Sequence, residues 1–319
     1  MPRKNEPDKI ADLLNPIFTD VDKAREHLEA LRWPDGPYCP HCGEAENVTR
    51  MEGESHRPGL HQCNACRQAF TVTVGTLFER SHIPLNKWML AFHLVAASKK
   101  AMSAHQMRRQ LDVTYKTAWF MMHRIREAMA EPVRPKIGGS GKIIEADETF
   151  WGKKPGTKKG RGGYQHKNAA MALVERGGEV RAFHIPSATA KSVRKVLDEH
   201  AEKSSHLMTD EARHYGKIGR EFDEHSAVHH SRKEYVRGEA HTNTIEGFFS
   251  IFKRGLIGTY HQVSTQHLHR YVAEFEFRYN HRQTADADGV TFPVSDAERA
   301  MAMLNGITGK RLTYRRLDS

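Results

Sequence analysis

The sequence predicts a mixed α/β protein in which a small cysteine-bearing β module and a run of helices precede a mixed sheet flanked by helices. Three observations predict it. All four cysteines fall between positions 39 and 66, as two C-x₂-C pairs. Residues 84–130 carry apolar side chains at helical spacing and end at a stretch rich in Pro and Gly. Beyond that stretch, short apolar runs punctuated by glycines alternate with amphipathic segments.

Residues 9–33 read as helical, with Ile10, Leu13, Leu14 and Ile17, then Ala24, Leu28 and Leu31, at spacings near three and four. Asp20 is placed to cap the second segment. Pro34, Gly36, Pro37, Pro40 and Gly43 impose turns, and the alternation of residues 68–74 reads as strand. Helices are expected at 85–97, 103–111 and 114–129, then a linker at 131–141 with two Pro and three Gly. Past it come a strand at 142–149, a Gly/Lys-rich loop at 153–167, and a hairpin of 168–175 with 179–186 around Gly177 and Gly178. A helix at 189–203, strands at 205–210 and 225–230, and helices at 243–256 and 265–280 complete the pattern. The expected organisation is a helical segment 1–36, a cysteine module 37–82, a helical domain 83–131, a linker 132–141, a catalytic domain 142–300 and a tail 301–319.

The chain has 319 residues, enough for about two domains. Hydrophobic residues make up 38% and charged residues 28%, a balance that builds a packed core and excludes wholesale disorder. No apolar run approaches the ~20 residues needed to cross a bilayer, and the N-terminus lacks the apolar stretch of a signal peptide. The expectation is a cytoplasmic, nucleoid-associated protein with no membrane partner. The formal net charge of +10 points to a polyanionic partner, once a motif supports it.

Cys39, Cys42, Cys63 and Cys66 form C-x₂-C, twenty intervening residues, and C-x₂-C. Each pair puts two sulfurs on one tight turn, and two such turns close a tetrahedral Zn²⁺ site of four thiolates. With no open coordination position, the zinc is structural. Reduced buried cysteines or a redox pair are the poorer readings of that spacing. His41, between two ligands, is read as a bystander.

Residues 103–111 and 115–126 have the proportions of a helix-turn-helix, with Thr114 as N-cap of the recognition helix. Lys116, Arg124 and Arg126, with Arg108 and Arg109, are the expected phosphate contacts. The rival reading is an ordinary three-helix bundle with solvated arginines.

Three acids stand out. Asp147 ends the run Lys142-Ile-Ile-Glu-Ala-Asp, Asp210 ends Leu207-Met-Thr-Asp, and Glu246 lies near the start of a helix. Two divalent ions need hard oxygen ligands from different elements, and carboxylates on adjacent strands with one on a covering helix meet that need. Strand alternation puts Glu148 on the opposite face, leaves Glu145 on the face of Asp147 as a supporting group, and leaves Glu211 open. Surface acids of no special role are the rival reading. Trp151 reads as a base-stacking or core aromatic. Lys153, Lys154, Lys158, Lys159 and Arg161 form a loop that reads as a DNA clamp or a solvated surface.

The stretches Glu145-Ala-Asp-Glu-Thr-Phe-Trp-Gly-Lys-Lys, Met208-Thr-Asp and His241-Thr-Asn-Thr-Ile-Glu-Gly-Phe-Phe-Ser-Ile-Phe-Lys-Arg-Gly-Leu-Ile-Gly-Thr-Tyr-His resemble the core of bacterial insertion-sequence DDE transposases. The subgroup resembled carries an N-terminal zinc ribbon and a helix-turn-helix, and the likeness spans roughly residues 10–300. It implies a ribonuclease-H-like core with Asp147 on the first strand, Asp210 on the fourth and Glu246 on a helix, binding Mg²⁺ or Mn²⁺. It places Lys253, seven residues after Glu246, at the transposon end, and it offers Asn243 as an alternative third ligand; Arg254, beside Lys253, is a further expected DNA contact. The activity implied is cleavage at terminal inverted repeats and joining of the 3′-hydroxyl to target double-stranded DNA, in a homodimer or larger assembly. An inactive DNA-binding regulator and a structure-selective nuclease of the same fold are the competing activities.

Overall fold

In the computed structural model, the described residues are 13–131, 133–158, 160, 163–228, 236–237, 240–285 and 289–312. Asp20 ends one helix and begins the next. It closes α1 (Pro16–Thr19), and its carboxylate accepts from the amides of Asp22 and Lys23 at the start of α2 (Val21–Arg32). These are donors that a helix N-terminus leaves without intrahelical partners. α2 buries Ala24 and Leu28.

Three short antiparallel strands come next, β1 (Val48–Arg50), β2 (His61–Cys63) and β3 (Ala69–Phe70). Trp33 stands edge-on to His61 and Phe70 beneath them. The helices predicted after this module are present as α3 (Leu85–Ala97), α4 (Ala104–Leu111) and α5 (Tyr115–Met129). The Ser103 hydroxyl accepts from the amide of Gln106, and that of Thr114 from the amide of Thr117, so both expected starts are capped. Asp112, in the left-handed region at φ 48°, turns the chain between α4 and α5.

Part of the expected linker is built into the sheet unit. Ile137 forms a bridge with Ala201, and Arg134 pairs with Glu179 and Glu276. The sheet comprises β4 (Ile143–Trp151), β5 (Asn168–Glu175), β6 (Val180–Ile185), β7 (His206–Thr209) and β8 (Glu224–Ala227), in the order β6-β5-β4-β7-β8. β4, β5 and β6 are antiparallel, whereas β4, β7 and β8 are parallel. This is the mixed, ribonuclease-H-like sheet, with β4 at its centre. Parallel pairing needs a crossover, which α6 (Ala190–His200), capped by Thr189, supplies between β6 and β7. On one face, Ile144, Ala146, Met171 and Leu173 pack with Val193 and Leu197 of α6 and with Tyr215 of α7 (Tyr215–Ile218).

The other face carries Glu145, Asp147 and Thr149, whose β5 partners are Val174, Ala172 and Ala170. These small alanines leave room for α8 (Asn243–Gly255), which lies against β4 and β5 and comes after the short ladder of β9 (Val236–Arg237) and β10 (Ala240–His241). A π turn, Leu256–Tyr260, continues α8 before α9 (Leu268–Asn280). A Cβ at Gly255 would lie 2.1 Å from Phe275 Cζ of α9. Gly255→Ala therefore sets a helix-propensity gain of about 1 kcal/mol against overpacking of about 1–3 kcal/mol. Net destabilisation is expected, read as a lower thermal midpoint; a raised midpoint contradicts the close approach of α8 and α9.

A hairpin of β11 (Gln283–Ala285) and β12 (Thr291–Pro293), which the sequence did not signal, leads to α10 (Asp296–Asn305). A capping box of Ser295 and Glu298 opens α10, which packs on α3 and α5. The Leu77 amide donates to Ile307 O and the Lys310 ammonium to Glu127 O. The chain thus divides into Met1–Met129 with Val294–Ser319, and Ala130–Pro293. The expected break at 300 with a separate tail differs from this division. The apolar face of α10, with Ala297, Ala300, Met303 and Leu304, is buried in the N-terminal unit.

Candidate active site

β4 and β7 run parallel with Glu145 opposite Met208. Asp147 and Asp210 each lie two residues beyond that pair, and Asp210 directly follows the end of β7. Glu246 stands in the first turn of α8, on the helix lying against β4. The three acids therefore come from a central strand, its parallel neighbour and the helix above.

Asp147 responds to the other two. Burial, then the charges of Glu148, Asp210 and Glu246, push the Asp147 carboxyl up to about 8. Burial raises Asp210 as well, against the hydrogen bond from the Ala212 amide, and Glu148 and Glu211 add to the rise. One Glu246 carboxylate oxygen accepts from the Thr242 hydroxyl at 2.9 Å. Among the described residues no trio of carboxylates brings its oxygens within 4.8 Å of one another, as the cysteines do with their sulfurs.

The neighbouring acids have separate tasks. Glu148 projects to the opposite face, as alternation requires, and accepts from Tyr215 Oη at 2.7 Å with His214 Nε2 at 3.2 Å. That hydrogen bond raises the pKa of His214. Glu145 is fully buried, and its carboxylate meets the amides of Thr244 and Ile245. Asn243 and Glu246 are exposed one turn apart. Lys253 is exposed too, about 10.5 Å further along the helix at 1.5 Å per residue. Arg254 is exposed and its Nε donates to Ser250 O.

Four thiols gather in the β module. Cys39 Sγ lies 3.6 Å from Cys66 Sγ, and Cys42 Sγ 3.6 Å from Cys63 Sγ, with all four within 4.8 Å. Tetrahedral coordination at 2.3 Å implies sulfur separations of about 3.8 Å, so the cluster fits one zinc ion and is far too open for disulfides. The two turns are equivalent: Cys39 N donates to Glu44 O and Cys63 N to Gln68 O, and Gly43 and Arg67 take the matching left-handed positions at φ 83° and 60°. Without metal the crowded thiols hold their protons unevenly: a hydrogen bond from the Cys66 amide lowers the Cys63 thiol, while Cys42 and Cys66 are raised.

The expected DNA contacts divide. Lys116 is exposed and lines a cavity of about 320 Å³ with Arg80, His82 and Phe120. Arg124 and Arg126 are corrected: they are only 8% and 2% exposed. The Arg124 guanidinium donates to Leu77 O at 2.6 Å and lies over the Phe120 ring, because this end of α5 packs inward. Both arginines are therefore buried away from solvent, while Arg108 and Arg109 on α4 remain exposed. Trp151 is half-buried at the end of β4, on the face of Asp147. Lys153 and Lys158 are exposed, and the Lys154 ammonium donates to Pro186 O. Lys159 and Arg161 lie outside the described residues.

The chain matches the family model of the ISXO2-like transposase domain over residues 138–280 and that of the transposase zinc-ribbon domain over residues 20–69. It is 31% identical over 283 residues to a Halobacterium salinarum protein described as an uncharacterized protein in transposable element ISH50, covering 82% of this chain and 91% of that one. The chain belongs to the ISXO2-like transposase family. The matched core contains Asp147, Asp210 and Glu246, and the matched ribbon contains all four cysteines, whereas α3, α4 and α5 lie outside both matched stretches. Among solved structures, a chain of the simian T-cell lymphotropic virus intasome in complex with PP2A regulatory subunit B56 gamma is 10% identical, with 62% of this chain and 70% of that chain covered and a TM-score of 0.29, too remote to bear on the fold.

Arg176, His214 and Tyr215 escaped the sequence reading of this family member. For Tyr215 and His214 the only signal was position, just after Asp210. Arg176, in a Gly-containing hairpin, reads like any exposed turn arginine.

Proposed function

We propose that this family member is a DDE transposase that binds terminal inverted repeats of double-stranded DNA, cuts the ends and joins the freed 3′-hydroxyl to target DNA. The observation that carries this reading is that Asp147 and Asp210 each lie two residues past the paired Glu145 and Met208 of parallel strands, with the charges of Asp210 and Glu246 acting on the Asp147 carboxyl. Burial, with Glu148, Asp210 and Glu246 nearby, disfavours the ionised Asp147 carboxyl, and a divalent cation there would offset that cost. Mg²⁺ or Mn²⁺ held by these acids would help activate the attacking hydroxyl and stabilise the leaving oxygen. Asp147, Asp210 and Glu246 supply ligands from three elements, with exposed Asn243 one turn from Glu246 as an alternative donor. The Thr242 hydroxyl holds one oxygen of Glu246 in place. Lys253 and Arg254, exposed further along α8, are the proposed contacts to the phosphates of the transposon end, and Lys153, Lys158 and Trp151 extend that surface. The zinc ribbon and α5, through Lys116, engage the repeat, and two such chains or more bring both ends together.

The test offers a pre-cleaved repeat end, a target plasmid and Mg²⁺ to the full-length protein. Joined product is expected, and Asp210→Asn is expected to reduce it at least about a thousandfold. Cleavage without joining supports a nuclease instead. Joining that survives Asp210→Asn overturns the assignment.

A further inference from the structure

Glu145 is a charged group at zero exposure, two residues before Asp147 on the same face of β4. A carboxylate is costly to bury unless hydrogen bonds replace its water. Here they do. One oxygen accepts from the amides of Thr244 and Ile245, both at 3.0 Å. The other accepts from the Thr244 hydroxyl at 3.0 Å and from Arg176 Nε at 2.7 Å. Those two amides belong to the first turn of α8, where donors lack intrahelical partners. The N-cap residue Thr242 does not serve them, since its hydroxyl reaches Glu246. The helix is therefore capped across the sheet, from a strand residue about a hundred positions earlier.

Arg176 extends the connection. Its Nη2 donates to the His241 carbonyl at 2.9 Å and lies 2.9 Å from Met208 Sδ. Each contacted position neighbours one acid. Glu145 precedes Asp147 by two residues on β4, Met208 precedes Asp210 by two and pairs with Glu145 in register, and Ile245 adjoins Glu246.

We propose that Glu145 and Arg176 form a positioning pair that sets the spacing of Asp147, Asp210 and Glu246 by locking α8 to β4 and β7. Neither residue touches reacting groups. The pair fixes where α8 begins along its own axis, and so where Glu246 stands over the two strand-borne acids. Partners behind metal ligands typically change affinity by about 10–100-fold when altered. The proposal rests on the reading that the three acids hold divalent metal.

Two variants of the full-length, zinc-loaded protein test it. Arg176→Lys keeps every charge but loses the fork that reaches His241 and Met208. It is expected to raise the half-saturating Mn²⁺ concentration about tenfold, by calorimetric titration and in end joining, with excess Mn²⁺ restoring most of the rate. Glu145→Gln keeps the shape but loses acceptor strength at the helix start. Amide exchange across Thr244 and Ile245 is expected to quicken at least about tenfold. A merely structural pair would lower the melting temperature and leave the Mn²⁺ dependence unchanged, and that result overturns the proposal. If wild type binds no Mn²⁺, the active-site reading fails. The lock on α8 is then judged by exchange alone, and unchanged exchange in Glu145→Gln overturns it. Should Glu145→Gln not fold, the Mn²⁺ dependence of Arg176→Lys decides.

Discussion

Asp147→Asn is expected to abolish end joining and, at the same time, to stabilise the metal-free protein. The carboxyl is pushed up to about 8, first by burial and then by the charges of Glu148, Asp210 and Glu246. In the unfolded chain it titrates near 3.8. Between these values the folded state binds the extra proton, so stability declines as pH rises. The contribution of this group is fully present below about pH 4 and is lost as pH climbs through about 8. Asn carries no charge and can keep the oxygen that accepts the Glu148 amide at 2.7 Å. At pH 8 the variant is expected to be more stable than metal-free wild type by several kcal/mol, about 1.4 kcal/mol for each unit of the rise, and at pH 4 the two should converge. Excess Mg²⁺ is expected to reverse the order at pH 8, because binding to the ionised acids stabilises only wild type. Thermal melts at pH 4, 6 and 8, with and without Mg²⁺, check this. A variant that melts below metal-free wild type at pH 8 would sink the account of a mutually repelling acid cluster.

Removing zinc is expected to unfold the ribbon. Its strands are only two or three residues long, and its buried side chains include two of the ligands themselves, Cys39 and Cys63. So small a sheet does not stand alone. Metal binding in comparable modules contributes about 10–16 kcal/mol, against net stabilities of about 5–15 kcal/mol for whole domains. Cys39→Ser, or a strong chelator, should therefore leave residues 34–82 open to protease and to rapid amide exchange, while the Ala130–Pro293 unit keeps its own melting transition. Metal analysis is expected to return one zinc per chain. Undiminished protection in chelator, or a chain purified without zinc, contradicts this.

How much of the molecule was legible depends on how far apart the interacting parts lie. The zinc cluster was readable because each pair of sulfurs sits within one turn, and only two turns had to meet. Helix starts at Asp20, Ser103, Thr114 and Thr189 were readable because a cap acts over two or three residues. Asp147 and Asp210 stood out as acids closing apolar strand runs, and alternation correctly turned Glu148 away from Asp147. Arg124 and Arg126 misled, since their charge is visible in the chain while the carbonyl and ring that receive Arg124 are supplied by Leu77 and Phe120.

Local chemistry, then, determined the ribbon, most helix limits and the order along the chain of the five strands of the main sheet. Tertiary packing alone decided which strands became neighbours, that α10 joins the N-terminal unit, and that Glu145 with Arg176 ties α8 to the sheet. The physical reason is range. Caps, turns and alternation are set by backbone geometry over a few residues. A buried carboxylate, by contrast, is tolerable only where donors from remote segments arrive to replace its water, and only the folded chain brings them there.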